Sequence, residues 1–258
     1  MQDFLNITLV QTHLHWENPV ANRKHFETLI QDITEDTDLI VLPEMFTTGF
    51  SMNASQLAET MQGDTLRWMK DLAKAKNTAI CGSMIITENN HFYNRFLFVK
   101  PTGEIHYYDK RHTFNMAGEG AVFECGTEQV VVEHLGWKLG LQVCYDLRFP
   151  VFARNTQGYD ALIYVANWPK PRVAAWDALL KARAIENMSY CIGVNRVGLD
   201  GNGLEYVGHS GVYDVLGDEI AFAKAEQKTL SVRLSKEYII HSREQLPFLQ
   251  DKDDFKLL

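Results

Sequence analysis

The chain has 258 residues and a net charge of −8 at pH 7, long enough to bury a sizeable core and too acidic for a nucleic-acid binder: its densest basic groups, Arg23-Lys24-His25 and Lys110-Arg111-His112, are too short to track a phosphate backbone. No apolar run approaches the ~20 residues that span a bilayer, and Met1-Gln2-Asp3-Phe4 has neither a basic n-region nor an apolar h-region. Cys81, Cys125, Cys144 and Cys191 form no C-x-x-C pair and no zinc-ligand spacing, so reduced thiols in a cytoplasmic enzyme are expected.

In chain order, Leu5, Ile7 and Leu9 alternate with polar residues as a strand does, and Asn18-Pro19 is a helix start before Phe26, Leu29, Ile30 and Ile33 at helical spacing. Residues 38–43 read as a short buried strand ended by Pro43, and Asp64 is expected to cap a helix with Leu66, Met69 and Ala73 inward. A strand over 78–86 follows, then hairpins 92–99/105–108 and 129–134/137–143. After Cys144 the spacing predicts a turn and short helix to Asn155, a strand 161–166, a helix from Val173 to about Met188, strands 190–194, 211–215, 219–223 and 229–234, and a last helix capped by Ser235. No repeat, linker or low-complexity tract divides the chain, so one domain over 1–258 is expected. Its mixed order of βαβα units and hairpins fits an α/β architecture of two face-to-face sheets with helices outside.

Three strand ends carry chemistry. Glu44 directly follows a buried strand, where a carboxylate is costly unless paired or working. Lys110 follows strand 105–108. Cys144 ends the alternating run Leu139, Leu141, Val143, at a strand-to-helix corner that throws the sulfur past the sheet edge, as in a nucleophile elbow. Ligands gather at the carboxyl ends of such strands. A free thiol is only about 3 % ionised at pH 7, so it needs a base. A carboxylate lifted by burial can serve, and a nearby ammonium stabilises both thiolate and oxyanion. No histidine stands in a context that marks it as the base. His112 lies closest to a strand end, and the nine histidines are expected to be surface or structural. A redox role for Cys144 would want a resolving cysteine nearby, and the sequence offers no hint of one.

Three blocks, Leu42-Pro43-Glu44, Tyr108-Asp109-Lys110-Arg111 and Val143-Cys144-Tyr145-Asp146-Leu147-Arg148-Phe149-Pro150, together with 181–187 (KARAIEN), resemble the nitrilase superfamily of carbon–nitrogen hydrolases from end to end. The resemblance implies a four-layer α-β-β-α sandwich, with Glu44 as general base, Lys110 as oxyanion-stabilising lysine and Cys144 as nucleophile. It also implies a second glutamate after the lysine block. Glu119, seven residues before Gly126, matches that spacing better than Glu124. No cofactor or metal is expected. A homodimer or higher homo-oligomer is expected, formed through a helix near the cysteine, with the C-terminal tail (about 246–258) packing on the partner.

Cys144-Tyr145-Asp146 resembles the small amidases rather than the true nitrilases. Phe114-x-Met116-Ala117-x-Glu119 and Ala166-Asn167-Trp168-Pro169 resemble the bacterial omega-amidases. That branch implies hydrolysis of the terminal amide of 2-oxo acids such as 2-oxoglutaramate and 2-oxosuccinamate. Such a substrate has a carboxylate at its far end, for which Arg148 is the first candidate and Arg172 the second. Phe46, Phe114, Tyr145 and Trp168 are candidates for an aromatic wall or, equally, for the core; Arg183, Glu186 and Asn187 are expected to be structural, with a buttress of the active-site loop as the alternative. Deaminated-glutathione and carbamoyl hydrolases stay open as alternatives, as does a non-catalytic oligomeric scaffold, since fold alone fixes no function.

Overall fold

Two six-stranded sheets form the centre of the structure, a computed structural model that describes residues 2–256. Met1, where the N-terminal reading begins, and residues 257–258, the end of the tail expected to meet a partner, lie outside the described residues. The elements are β1 (Phe4–Gln11), α1 (Pro19–Gln31), β2 (Leu39–Val41), α2 (Ala54–Leu57), α3 (Asp64–Lys76), β3 (Ala79–Glu88), β4 (His91–Val99) and β5 (Ile105–Asp109). They continue as β6 (Val131–His134), β7 (Trp137–Val143), α4 (Pro150–Ala153), β8 (Ala161–Ala166), α5 (Val173–Asn187), β9 (Tyr190–Asn195), β10 (Val197–Leu199), β11 (Glu205–Val207), β12 (Gly211–Tyr213), β13 (Glu219–Phe222), β14 (Lys228–Ser235) and α6 (Lys236–Gln245). One sheet runs β14-β1-β2-β3-β4-β5 and the other β13-β12-β9-β8-β7-β6; β10 and β11 pair apart from both.

Strand alternation builds the layers. In the first sheet Leu5, Ile7, Leu9, Leu39, Val41, Phe96 and Phe98 share one buried cluster with Leu139, Leu141, Val143 and Ile163 of the second. The intervening residues Ile40, Ile80, Leu97 and Val99 turn to the other face and pack with Phe26 and Ile30 of α1 and Leu66, Met69 and Ala73 of α3. On the far side of the second sheet α5 lies so close that a Cβ on Gly193 would stand 2.4 Å from Leu180 Cδ1. Because both faces of each sheet are covered, the central strands read as near-continuous apolar runs. The result is the expected four-layer α-β-β-α sandwich.

Local signals largely hold. The Asn18 side chain accepts from Ala21 N, with Pro19 at the first helical position, and Ser235 accepts from Tyr238 N at the start of α6. Asp64 does not cap α3. It is the first helical residue and Gly63 occupies the cap position, while the Asp64 carboxylate is drawn outward to Arg67. Glu59 Oε2, from outside the helix, accepts from Thr65 N at 2.8 Å. The β10–β11 ribbon and the one-turn helix α2 have no counterpart in the sequence reading, being too short to show a period. In the tail, residues Phe248–Asp251 form a 3₁₀ turn, and Leu246 and Leu249 pack against the inter-sheet cluster. No helix among the described residues is long and apolar enough to cross a membrane.

Candidate active site

Glu44, Lys110 and Cys144 leave three strands at one end of the sandwich, and the packing of the two sheets brings them together. β2 ends at Val41 and the chain passes Leu42 and Pro43, with Leu42 N still donating to Cys81 O at 2.7 Å. Glu44 then turns into the interior and is wholly buried. Its Oε1 accepts from Lys110 Nζ at 2.9 Å and from Asn94 Nδ2 at 2.8 Å, and its Oε2 accepts from Asn167 N at 2.8 Å. Every bond the carboxylate makes is therefore to a group fixed on a strand or strand end, which leaves it little freedom to swing.

Lys110 follows β5 directly. Its ammonium donates to both oxygens of Glu119 at 2.9 Å as well as to Glu44. Burial works against the charged lysine, but Glu119 and Glu44 outweigh it and hold the ammonium above the usual lysine range. Glu119 opens a short 3₁₀ turn, Glu119–Ala121, and is fully buried; its Oε2 also accepts from Phe114 N at 2.5 Å. Burial pushes its carboxyl up, the neighbouring Glu44 adds to this, and Lys110 opposes. Gly126 closes this loop against β5: a Cβ there would stand 2.1 Å from Asp109 O, so only glycine permits the approach.

Cys144 begins a 3₁₀ turn straight after β7 and has φ 45°. A non-glycine residue in the left-handed region costs ~1–2 kcal/mol, and such strain persists only where the surroundings over-determine it. Asp146 supplies much of that restraint. Its Oδ2 accepts from Val143 N at 2.9 Å and from Tyr108 OH at 2.8 Å, and its Oδ1 from His112 N at 3.0 Å, with His112 Nδ1 2.8 Å away. On the other side Arg183 donates to Leu147 O at 2.6 Å and to Glu186 at 2.9 Å, tying the turn to α5. Asn187 ties the next segment, accepting from Asn155 N at 2.8 Å. The Cys144 sulfur stands 4.0 Å from Asn167 O. Burial first, then the Glu44 carboxylate, push its thiol well above the ordinary cysteine range, against the pull of Lys110.

The thiol and ammonium open into a cavity of about 450 Å³. Phe114, Tyr145, Arg148, Trp168 and Arg172 all line it. The Phe114 and Tyr145 rings meet edge-on with centroids 5.0 Å apart. The Arg148 guanidinium lies 5.0 Å from the Trp168 ring and that of Arg172 5.0 Å from Phe114. Neither arginine has a carboxylate partner among the described residues. Phe46 does not belong to the wall. It is fully buried in the cluster under α1 and α3, edge-on to Phe26 at 5.5 Å, because the chain reverses just after Glu44, where Met45 has φ 42°. His112 is structural, stacked on Phe149 at 3.8 Å.

Asn94 is the member of the cluster that sequence reading passes over. It bridges Glu44 and Glu119 through Nδ2, at 2.8 and 3.2 Å, and accepts from Ser83 Oγ at 2.8 Å. A signal existed: Asn94 shares its strand face with Phe96 and Phe98, which pack between the sheets, and a polar residue there must find partners. Glu17 and Asp200 also line the cavity unannounced; Glu17 accepts from Ser51 Oγ at 2.5 Å and Asp200 from Tyr206 OH at 3.1 Å.

Face-to-face sheets between helix layers, with a cysteine, a lysine and glutamates meeting at the strand ends, are the architecture of the nitrilase superfamily. The chain belongs to the carbon-nitrogen hydrolase family, whose model matches residues 6–244. It is 47% identical over 254 residues to Omega-amidase YafV of Escherichia coli (strain K12), covering 98% of each chain. It is 31% identical to the 2-oxoglutaramate amidase of Bacillus subtilis (strain 168), covering 95% of this chain and 96% of that one. Among solved structures it superposes with a TM-score of 0.97 on XC1258 from Xanthomonas campestris, a CN-hydrolase superfamily protein with an arsenic adduct in its active site, at 39% identity and full coverage of both chains.

Proposed function

We propose that this hydrolase cleaves the terminal amide of small 2-oxo-dicarboxylic acid monoamides, 2-oxoglutaramate and 2-oxosuccinamate, to the dicarboxylate and ammonia through a thioester on Cys144. The observation that carries the reading is the cavity's polar lining, which combines the Cys144 thiol and Lys110 with Arg148 and Arg172, two guanidiniums without carboxylate partners among the described residues. An amide with an anionic far end matches both. The relatives named for omega-amidase and 2-oxoglutaramate amidase activity support the substrate class.

In this mechanism Glu44 takes the thiol proton as the Cys144 sulfur attacks the amide carbon. The raised thiol pKa means that proton transfer and attack go together, because a standing thiolate is disfavoured. The oxyanion forms between the Lys110 ammonium and the Tyr145 backbone N–H. Losing one such donor costs ~3–4 kcal/mol of transition-state stabilisation. Glu44 returns the proton to the departing nitrogen and ammonia leaves. Glu44 then deprotonates the water that attacks the thioester, and the proton returns to sulfur as the carboxylate product departs. Glu119 holds Lys110 in position, and Asn94 links the two carboxylates. Phe114, Tyr145 and Trp168 limit substrate length. The reaction as written draws on no cofactor.

We further read the chain as one domain that works in the cytoplasm, free of nucleic acid and membrane, as a homodimer or higher homo-oligomer with its C-terminal tail against the partner. Exposed Val151 on α4 and Ile185 on α5, close to the cysteine turn, support this.

The test is ammonia release from 2-oxoglutaramate by wild type and Cys144→Ala, beside glutamine, a simple nitrile and a carbamoyl-amino acid. Fast release by wild type alone is the expected result. Activity confined to another member of the panel moves the substrate assignment and keeps the mechanism; silence on all of them from a folded protein overturns the reading.

A further inference from the structure

Away from Cys144, the histidines form a cluster that the hydrolytic chemistry does not use. His13 and His15 lie just after β1, and His25 projects from α1. One ring nitrogen from each falls within 4.8 Å of the others, the one such group of three histidine, cysteine or carboxylate side chains among the described residues. Ring centroids are 4.4 Å apart for His13–His25, 5.1 Å for His13–His15 and 5.6 Å for His15–His25. Nitrogen ligands on a tetrahedral zinc-type ion, ~2.0–2.1 Å from the metal, stand about 3.3 Å apart, so the three rings must turn toward one another to close on an ion.

The hydrogen bonds around the cluster set its tautomers. Thr12 Oγ1 donates to Gln227 Oε1 at 2.9 Å and stands 2.6 Å from His25 Nε2. With its own hydrogen committed to Gln227, Thr12 accepts from His25, so His25 carries its proton on Nε2. His13 Nδ1 lies 2.8 Å from the same Gln227 Oε1, an acceptor, so His13 is protonated on Nδ1. The lone pairs of His13 Nε2 and His25 Nδ1 are thereby left free, and His15 makes no side-chain hydrogen bond among the described residues. Outer hydrogen bonds that fix tautomer and ring orientation are what metal-ligating histidines carry.

We propose that His13, His15 and His25 form a binding site for one divalent transition-metal ion of the zinc class, oriented by Thr12 and Gln227 and separate from Cys144. Three imidazoles suit zinc, copper, nickel or iron rather than magnesium or calcium, which prefer oxygen. A bound ion ties the β1–α1 loop to α1. That loop continues into Trp16 and Glu17, which line the cavity, and Asn22 of α1 joins His15 O to Thr47 O at 2.7 and 2.6 Å. The ion therefore stiffens one edge of the cavity mouth without touching the reacting atoms.

The experiment is calorimetric titration of tag-free, metal-free protein with ZnCl₂, comparing wild type, His15→Ala, His13→Ala and Cys144→Ala, with melting temperature followed with and without zinc. The expected result is one zinc per chain in wild type and Cys144→Ala, a zinc-dependent rise in melting temperature in both, and affinity at least ~10-fold weaker in His15→Ala and His13→Ala. His15 is exposed, so its alanine variant should melt like wild type without zinc. Absence of zinc binding in wild type, wild-type affinity in both histidine variants, or loss of binding in Cys144→Ala would each overturn the proposal. Should a histidine variant fold poorly, the rise in melting temperature of wild type and Cys144→Ala, or its absence, still decides.

Discussion

Lys110 Nζ lies 2.9 Å from oxygens of both Glu44 and Glu119, so one buried ammonium faces two buried carboxylates. The imbalance falls on Glu119, whose carboxyl is held above the usual range by burial. Removing the lysine charge leaves the carboxylates uncompensated, and breaking a buried pair in this way costs ~3–5 kcal/mol. Lys110→Met is expected to lose that much stability in urea denaturation and all measurable turnover. Glu119→Gln keeps the shape, and should lower kcat by more than about tenfold while leaving KM close to wild type, because it changes how Lys110 is held rather than the cavity wall.

The left-handed backbone at Cys144 makes a stability prediction independent of activity. Cys144→Gly and Cys144→Ala should both be inactive, but the glycine variant should be the more stable of the two by ~1 kcal/mol. Equal midpoints in chemical denaturation would mean that the turn stores no strain.

Asp146 accepts from four donors around the cysteine turn, counting the His112 ring. Asp146→Ala orphans Val143 N and Tyr108 OH in the interior, at ~1–3 kcal/mol for each buried unpaired group. We expect a loss of about 3 kcal/mol in thermal or urea unfolding and a kcat that falls further than Arg183→Ala lowers it, since Arg183 braces the turn one step further along.

Arg148 and Arg172 are expected to act on the far end of the substrate. Replacing both with alanine should raise KM for 2-oxoglutaramate by roughly 10-fold or more, about 1.4 kcal/mol of uniform binding, with kcat little changed. A small neutral amide should be hydrolysed by the double variant as well as by wild type. A KM unmoved for 2-oxoglutaramate would place carboxylate recognition elsewhere on the cavity wall.

His134 should make stability fall on the acid side. Burial lowers its folded pKa below the ordinary histidine value of 6.5, against the bond of its Nε2 to Asp38 O at 3.1 Å. The unfolded chain therefore takes up the proton first. Its contribution is complete above pH 6.5 and is lost as pH falls from there toward the folded pKa. Urea midpoints measured from pH 7.5 to pH 5 should show a smaller acid loss in His134→Gln than in wild type.

Elements whose signals are local are written in the order of residues: the alternating strands, the Asn18-Pro19 and Ser235 helix starts, and the three strand ends that carry Glu44, Lys110 and Cys144. Alternation and capping involve neighbours a few residues apart. The meeting of those ends is not written there, because it depends on strand order within the first sheet for Glu44 and Lys110, 66 positions apart, and on how the second sheet lies on the first for Glu44 and Asn167, 123 positions apart. Packing alone turns Phe46 into the core instead of the cavity, lets Asn94 link the two glutamates, and brings His13, His15 and His25, two from a loop and one from a helix, to one corner. The physical reason is the same in each case. A side chain's face follows from its element, but its partners follow from the packing of elements distant in the chain.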